Sequence, residues 1–207
     1  MKITGGKFKK TIISSVSDTR TRYTPAIVRE ALYDIIDVEG KSVLELFGGS
    51  GVVSAEAISR SAGQITIVEI SRSSCATIRK NLSKLHHPAK IINLDFRIAL
   101  RRLSKKCNEY DFIFADPPFE TGLLLEAFNE IDRHFELIKS EGIVVIESFE
   151  KELPPESGKN IVLHSRRKYG DVVLSFYSSS HDEYQSGNYK DKYRPPYNEG
   201  YDAKYDR

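Results

Sequence analysis

Along residues 24–177, short apolar runs alternate with stretches whose apolar side chains recur every three or four positions. Ile27, Val28, Ala31, Leu32, Ile35 and Ile36 mark one face of a first helix. The signals around it place Thr24 at its N-cap, Pro25 at its first helical position and Gly40 at its end. Residues 42–47 predict a strand that runs into Gly48-Gly49-Ser50-Gly51 and then a helix over 52–60. Residues 64–70 predict the next strand, and Ser71 caps a helix running to about His86. Further strands are predicted at 90–94, 110–115 and 142–148, with helical patterns between them at about 96–105 and 122–138. Such alternation means βαβ units: an α/β fold with a mostly parallel sheet and helices on both faces. Residues 160–165 and 172–177 break the pattern and predict an antiparallel C-terminal hairpin, which brings the sheet to seven strands. Its turn, 166–171, is basic.

The two ends of the chain differ from this body. Residues 1–23 form a basic hairpin or extended arm, the α/β domain covers 24–177, and 178–207 is a tail without Ile, Leu, Val or Phe. That tail holds six of the eleven tyrosines, yet its Gly, Pro and Asp content argues against a helix and for disorder. The formal net charge of +2 conceals an asymmetry, because residues 1–30 carry seven bases against two acids. A basic end on a nearly neutral body suits a polyanionic partner or simply a solvated face. Lys7, Lys9, Lys10, Arg20, Arg22 and Arg29 are the candidate phosphate contacts, with Arg166, Arg167 and Lys168 of the predicted turn as a second group.

Composition removes several classes. No apolar stretch reaches the length of a membrane span, and the first residues lack the apolar core of a secretory signal. Cys75 and Cys107 stand far apart, so neither a disulfide framework nor a metal site is expected, and a reducing cytoplasm is the natural setting.

Candidate chemistry gathers at the predicted strand ends. Glu45, Phe47 and the turn Gly48, Gly49, Ser50 and Gly51 lie where a first parallel strand meets a helix. Glycine lets the backbone approach a ligand closely, and the helix offers unpaired N–H groups there. Glu69, followed by Ile70 at the second strand end, is placed to accept both hydroxyls of a ribose. The pattern fits a dinucleotide or S-adenosylmethionine. Ser54 occupies the third glycine position of the dinucleotide fingerprint, and an acid at Glu45 suits a cationic ligand, which favours the sulfonium compound. Asp95, with Phe96 beside it, is read equally as an adenine contact and as the cap of the next helix.

Asp116-Pro117-Pro118-Phe119 follows the fourth strand. Two prolines stiffen the loop and remove its donors, leaving the Asp116 carboxylate and backbone carbonyls to grip an exocyclic amine. Phe119 adds a face on which a base can stack. The order of Glu45–Gly51, Glu69 and this DPPF loop resembles the Rossmann-like S-adenosylmethionine-dependent amino-methyltransferases. Gly5-Gly6-Lys7, Arg22, Thr24 and Val28-Arg29-Glu30-Ala31-Leu32 narrow the resemblance to the bacterial family that methylates N2 of guanine 966 in 16S ribosomal RNA. It spans roughly residues 2–177, with two departures: Glu45 stands where the family usually has Asp, and Tyr23 where it commonly has Pro. The resemblance implies S-adenosylmethionine as donor, held by Glu45, the glycine turn and Glu69, and guanine held by Asp116, Pro117 and Phe119. It also implies 16S rRNA or an assembled or assembling 30S subunit as partner. A monomer without a membrane partner is expected, and the rival readings are an adenine-N6 methyltransferase of DNA or RNA and a non-catalytic nucleotide-binding ribosome-assembly module.

Overall fold

The computed structural model describes residues 1–16 and 23–180; Arg20, Arg22 and the tyrosine-rich tail beyond Ser180 lie outside the described residues. Among the described residues five α-helices and seven strands follow in chain order: α1 Ala26–Ile35, β1 Ser42–Leu46, α2 Val52–Ser59, β2 Gln64–Val68, α3 Arg72–Ser83, β3 Ala89–Ile92, α4 Phe96–Ser104, β4 Tyr110–Ala115, α5 Leu123–Arg133, β5 Ile138–Phe149, β6 Ile161–Tyr169 and β7 Val172–Ser179. They form one sheet ordered β3-β2-β1-β4-β5-β7-β6. β1 to β5 are parallel, and β7 enters antiparallel between β5 and β6. The strand order reverses direction at β1, and the C-terminal ends of β1 and β4 there flank the cleft where open α/β sheets bind ligands.

Alternation along the strands divides the core in two. Val43, Ile67, Phe112, Phe114 and Val145 pack beneath α1, α2 and α3 through residues such as Leu32, Val53 and Ile78. Leu44, Leu46, Ile113, Val144 and Ile146 pack beneath α4 and α5 through Leu100, Leu103 and Phe128. Both faces are therefore sealed, as the unbroken apolar runs of the inner strands require. Among the described residues no helix is long and apolar enough to cross a membrane.

Several boundaries differ from expectation for identifiable reasons. α1 begins one residue later than predicted, because Pro25 keeps an extended ψ of 153° and is itself the cap residue. Thr24 is buried, and its side chain bonds Glu147 instead of capping the helix. The helix also stops at Ile35, before Gly40: Ile36 turns extended, and Ile36 and Val38 are drawn into the core. The pattern at 122–138 resolves into α5, a 3-10 turn at Phe135–Leu137 and the start of β5, which is longer than expected. β6 runs through Arg166, Arg167 and Lys168, so these residues lie on an edge strand and the turn shrinks to Gly170-Asp171. β7 continues to Ser179, beyond the predicted end of the strand at 177.

The N-terminal segment is a pinned hairpin. Lys2 bridges Ile12, and Ile3 and Ile13 enter the core beside α2. Gly6, at φ +73°, approaches the end of α2 so closely that a Cβ would lie 2.0 Å from the Ser59 carbonyl oxygen. That approach lets the Lys7 N–H donate to this carbonyl at 2.7 Å and the Phe8 N–H to the Ser59 hydroxyl at 2.9 Å. Lys7, Lys9 and Lys10 remain exposed on the turn.

Arg29, expected on the surface as a phosphate contact, is instead 2% exposed. Its Nε donates to Glu56 at 3.3 Å, and its two terminal nitrogens donate to the carbonyls of Thr24 at 2.6 Å and Lys2 at 2.8 Å. Glu56, fully buried in α2, also accepts from the Thr4 N–H, the Thr4 hydroxyl and Arg60. Removing one partner of such a pair strands the other charge. Arg29→Ala is expected to lower the unfolding free energy by about 3–5 kcal/mol in urea titrations. It should leave the salt dependence of any RNA binding unchanged, as a buried guanidinium contacts no phosphate.

Candidate active site

The pairing register gathers four carboxyl groups at one end of the sheet. Glu45 on β1 pairs with Ile67 of β2 and Phe114 of β4, and Phe114 pairs with Val145 of β5. These residues share the face covered by α1, α2 and α3. Two positions further along the same three neighbouring strands stand Glu69, Asp116 and Glu147.

The loop after β1 has the shape a ligand cradle needs. Phe47 adopts a φ of 61°, a strained value for a residue with a Cβ, and its ring rests 4.8 Å from that of Phe96. Gly48 leaves no room for a side chain, since a Cβ would come within 2.4 Å of Ile67. Gly51 caps α2 in the left-handed region at φ 73°. Ser50 is buried with its hydroxyl unpartnered, and its carbonyl accepts from Asn81 at 2.9 Å.

The Glu69 carboxylate holds this turn in place. One oxygen accepts from the Gly49 N–H at 2.8 Å and the other from the Ser71 N–H at 2.7 Å. Beside it Ile70 is 67% exposed, an apolar side chain at the rim of a polar loop. Asp95 caps α4 by accepting from the Arg97 N–H at 2.9 Å, and it pairs with the Arg97 guanidinium at 2.6 Å. The geometry thus gives Asp95 its capping role.

Glu45 is almost completely buried. Its Oε2 accepts from the Ser54 N–H at 3.0 Å and from the Ser54 hydroxyl. Burial pushes its carboxyl up to about 8 against these hydrogen bonds, with Asp116 and Glu69 adding repulsion. A cation placed beside it reverses that balance.

The DPPF loop closes the other side. Asp116 is half-buried, and desolvation pushes its carboxyl up to about 7. Pro117 is buried and Pro118 exposed, and the Pro118 carbonyl accepts from the Thr121 hydroxyl at 2.7 Å. Phe119 leans on Phe149 at the end of β5, with ring centroids 5.4 Å apart. The Glu120 N–H donates to Glu152 at 3.0 Å, which ties the loop to the turn after β5. Asp116 and Phe119 therefore project from a braced platform.

Glu147 escaped the sequence reading. It sits inside β5 at the end of the apolar run Ile143-Val144-Val145-Ile146, and the charge interrupting that run is the signal that could have found it. It is 2% exposed, the Thr24 side chain bonds it, and its Oε2 has no hydrogen-bond partner. The basic residues are dispersed: Lys7, Lys9 and Lys10 stand on the N-terminal hairpin, while Lys168 pairs with Glu150 at 2.5 Å and Arg166 donates to the Pro154 carbonyl at 2.6 Å. Arg167 donates to the Arg166 carbonyl at 3.2 Å.

These residues fit an S-adenosyl group. The chemistry such a group needs is present: a buried carboxyl (Glu45) that a cation would relieve, a turn with no room for a side chain at Gly48, a carboxylate (Glu69) with lone pairs to spare, and an exposed apolar side chain, Ile70.

Residues 1–178 match the family described as Conserved hypothetical protein 95. Ribosomal RNA small subunit methyltransferase D of Escherichia coli strain K12 is 30% identical over 183 residues, covering 86% of this chain and 89% of that protein. The solved structure of the Escherichia coli protein yhhF superposes with a TM-score of 0.73 at 28% identity, over 88% of this chain and 99% of that one. The structure of SMU.776, complexed with S-adenosylhomocysteine, shares the fold with a TM-score of 0.62 at 16% identity, over 76% of this chain and 50% of that one. With the Rossmann-like sheet, the glycine cradle and the DPPF platform in one site, the chain belongs to the Conserved hypothetical protein 95 family, that of ribosomal RNA small subunit methyltransferase D, and is a methyltransferase.

Proposed function

We propose that the protein transfers a methyl group from S-adenosylmethionine to the exocyclic N2 of a guanine in 16S ribosomal RNA, acting in the cytoplasm on the 30S subunit or a precursor of it. The observation that carries this reading is Asp116 on its proline-stiffened loop at the end of β4, the strand next to the one that leads into the glycine cradle. Its match to a small subunit rRNA methyltransferase supports the substrate class.

Glu45 receives the ammonium of the methionine portion, the Gly48–Gly51 turn underlies the ligand, Glu69 takes the ribose hydroxyls, and Ile70, Asp95 and Phe96 border the adenine. Bound there, S-adenosylmethionine supplies an electrophilic methyl group on a sulfonium sulfur. The protein's own residues do the rest. Guanine N2 is a poor nucleophile because its lone pair is delocalised into the ring. Asp116 and the Pro117 carbonyl accept its two N–H groups, which pyramidalises the nitrogen and aims the lone pair. Phe119 holds the ring by stacking. Asp116 then receives the proton that the methylated nitrogen sheds. No covalent intermediate is required, and alignment supplies most of the rate, up to about 7–11 kcal/mol in favourable systems. Lys7, Lys9 and Lys10, with Arg166, Arg167 and Lys168, contact phosphates and offset the few kcal/mol spent in unstacking the base.

Tritiated methyl transfer to 30S particles lacking the modification, followed by nucleoside analysis, tests the acceptor. N2-methylguanosine is expected; N6-methyladenosine would overturn the guanine assignment while keeping the loop chemistry. Asp116→Ala should lower kcat about 10²–10⁴-fold while cofactor affinity stays within about threefold. An equal loss of both would remove Asp116 from the acceptor half. In the wild type kcat should fall as pH drops below about 7, because the base must be ionised and its folded-state value is raised to that point.

Cofactor binding has its own signatures. Glu45 is protonated at neutral pH in the free protein and ionised beside an ammonium, so binding near pH 7 should release up to about one proton. Calorimetry in buffers of different ionisation enthalpy reads this, and Glu45→Gln should abolish it. Gly48→Ala forces a methyl against Ile67; it should lower stability by about 1–3 kcal/mol and weaken cofactor binding more than it slows transfer at saturation.

A further inference from the structure

One carboxyl remains unexplained by the assignments above. Glu147 is buried inside β5, and a buried carboxyl oxygen without a partner is destabilising, so its retention calls for a reason. The register supplies one. Ala115 of β4 pairs with Ile146 of β5, so the next residues along the two parallel strands, Asp116 and Glu147, are neighbours. Their side chains leave the sheet on the face covered by α1, where Thr24 bonds Glu147. On its other side Glu147 pairs with Leu174 of β7, which offers no charge.

The groups around Glu147 can be named element by element. α1 contributes Arg29, whose guanidinium is committed to Glu56 of α2 and to the Thr24 and Lys2 carbonyls. Burial raises the Glu147 carboxyl most; β4 contributes Asp116, whose negative charge raises it further, and Arg29 opposes this more weakly. β1 contributes Glu45, one strand beyond β4. Two neighbouring carboxyls in a dry site do not both ionise near neutral pH. Burial favours the proton on the deeper one, Glu147, and leaves the less buried Asp116 as the one to carry the charge.

We propose that Glu147 is a positioning residue paired with Asp116: its uncommitted Oε2 supplies an O–H donor that stabilises the Asp116 carboxylate and holds it ready to take the proton of the substrate amine. The proposal rests on the reading of Asp116 as the acceptor-side base. In the proton step, the N–H bond of the newly methylated nitrogen breaks, its electron pair stays on nitrogen, and the proton bonds to an Asp116 oxygen. The pair then holds two protons and returns to one by giving a proton to water.

Three variants test this, with a titration that requires no turnover. In the free protein, with Glu and Asp side chains carrying ¹³C-carboxyl labels, the Glu147 resonance should titrate well above the ordinary carboxylate range. In Asp116→Asn its midpoint should fall by about one pH unit or more, since a neighbouring charge has been removed. A midpoint that does not move would overturn the pairing. In methyl transfer, Glu147→Leu should lower kcat about tenfold or more with cofactor affinity within about threefold, and should move the acid limb of kcat upward by about one unit as Asp116 loses a donor. Glu147→Gln, whose amide N–H can donate from the same place, should restore both the rate and the limb. An unmoved limb in Glu147→Leu would reduce Glu147 to packing, and a Gln variant as impaired as the Leu variant would show that the donor role is wrong. Should Glu147→Leu fail to fold, the Gln variant and the titration still decide. Absence of transfer by the wild type to any RNA would refute the proposed function instead, leaving the Asp116–Glu147 coupling to be judged by the titration alone.

Discussion

A buried ion pair, Arg29 with Glu56, is the constraint that ties the N-terminal half of the molecule to its sheet. Two charges taken out of water are tolerated only when nearly every lone pair and proton finds a partner. Here the partners come from the hairpin (Lys2 and Thr4), from the entry to α1 (Thr24) and from α2 itself (Arg60). Satisfying the pair therefore determines where each of these segments lies. It also fixes Thr24, and through Thr24 the surroundings of Glu147 beside Asp116.

Contacts within the chain itself hold the site. Glu69 spends one oxygen on each of two backbone N–H groups, so the glycine turn is held by a carboxylate that still has lone pairs to offer. Phe119 is fixed against Phe149, and Glu152 fastens the loop behind it. Opposed to this rigidity is an excess of acid: four carboxyls crowd one face of the sheet end, and burial pushes Glu45 up to about 8 and Asp116 up to about 7. A positively charged donor relieves that crowding, whereas an anionic ligand would worsen it.

Most of the architecture was legible because it rests on local pattern. Apolar runs and glycine turns located the strands, Ser71 caps α3 as its position suggested, and Asp95, read equally as cap and as adenine contact, caps α4. What stayed hidden depends on contacts distant in sequence. Arg29 reads as one more base in a basic segment until Glu56, 27 residues later, is brought beneath it. Thr24 looks like a helix cap because nothing local announces that its side chain belongs to Glu147. The basic run 166–168 resembles a turn, since strand propensity cannot tell an edge strand from a loop when its residues are charged. Within the candidate site the glycine cradle and the DPPF loop were visible as motifs. Glu147 was not, because a single acid ending an apolar strand carries no signal until the register sets it beside Asp116.

That charged edge strand has a consequence for the behaviour of the molecule in a crowded solution. β6 is the outermost strand on one side; residues 156–158 cover its beginning, where the Leu163 N–H donates to the Glu156 carbonyl and the Gly158 N–H to the Ile161 carbonyl, and its later residues form the edge that an extended chain would meet. Its pairing with β7 is interrupted by a register shift between Leu163 and Ser165, and Arg166, Arg167 and Lys168 follow at once. A second sheet approaching this edge would meet hydrated charged side chains, Arg166 paired with Glu156 and Lys168 with Glu150, and a local twist in place of a flat template. The bases at this end of the sheet thus discourage strand-to-strand self-association, a service to solubility that holds whether or not RNA is bound.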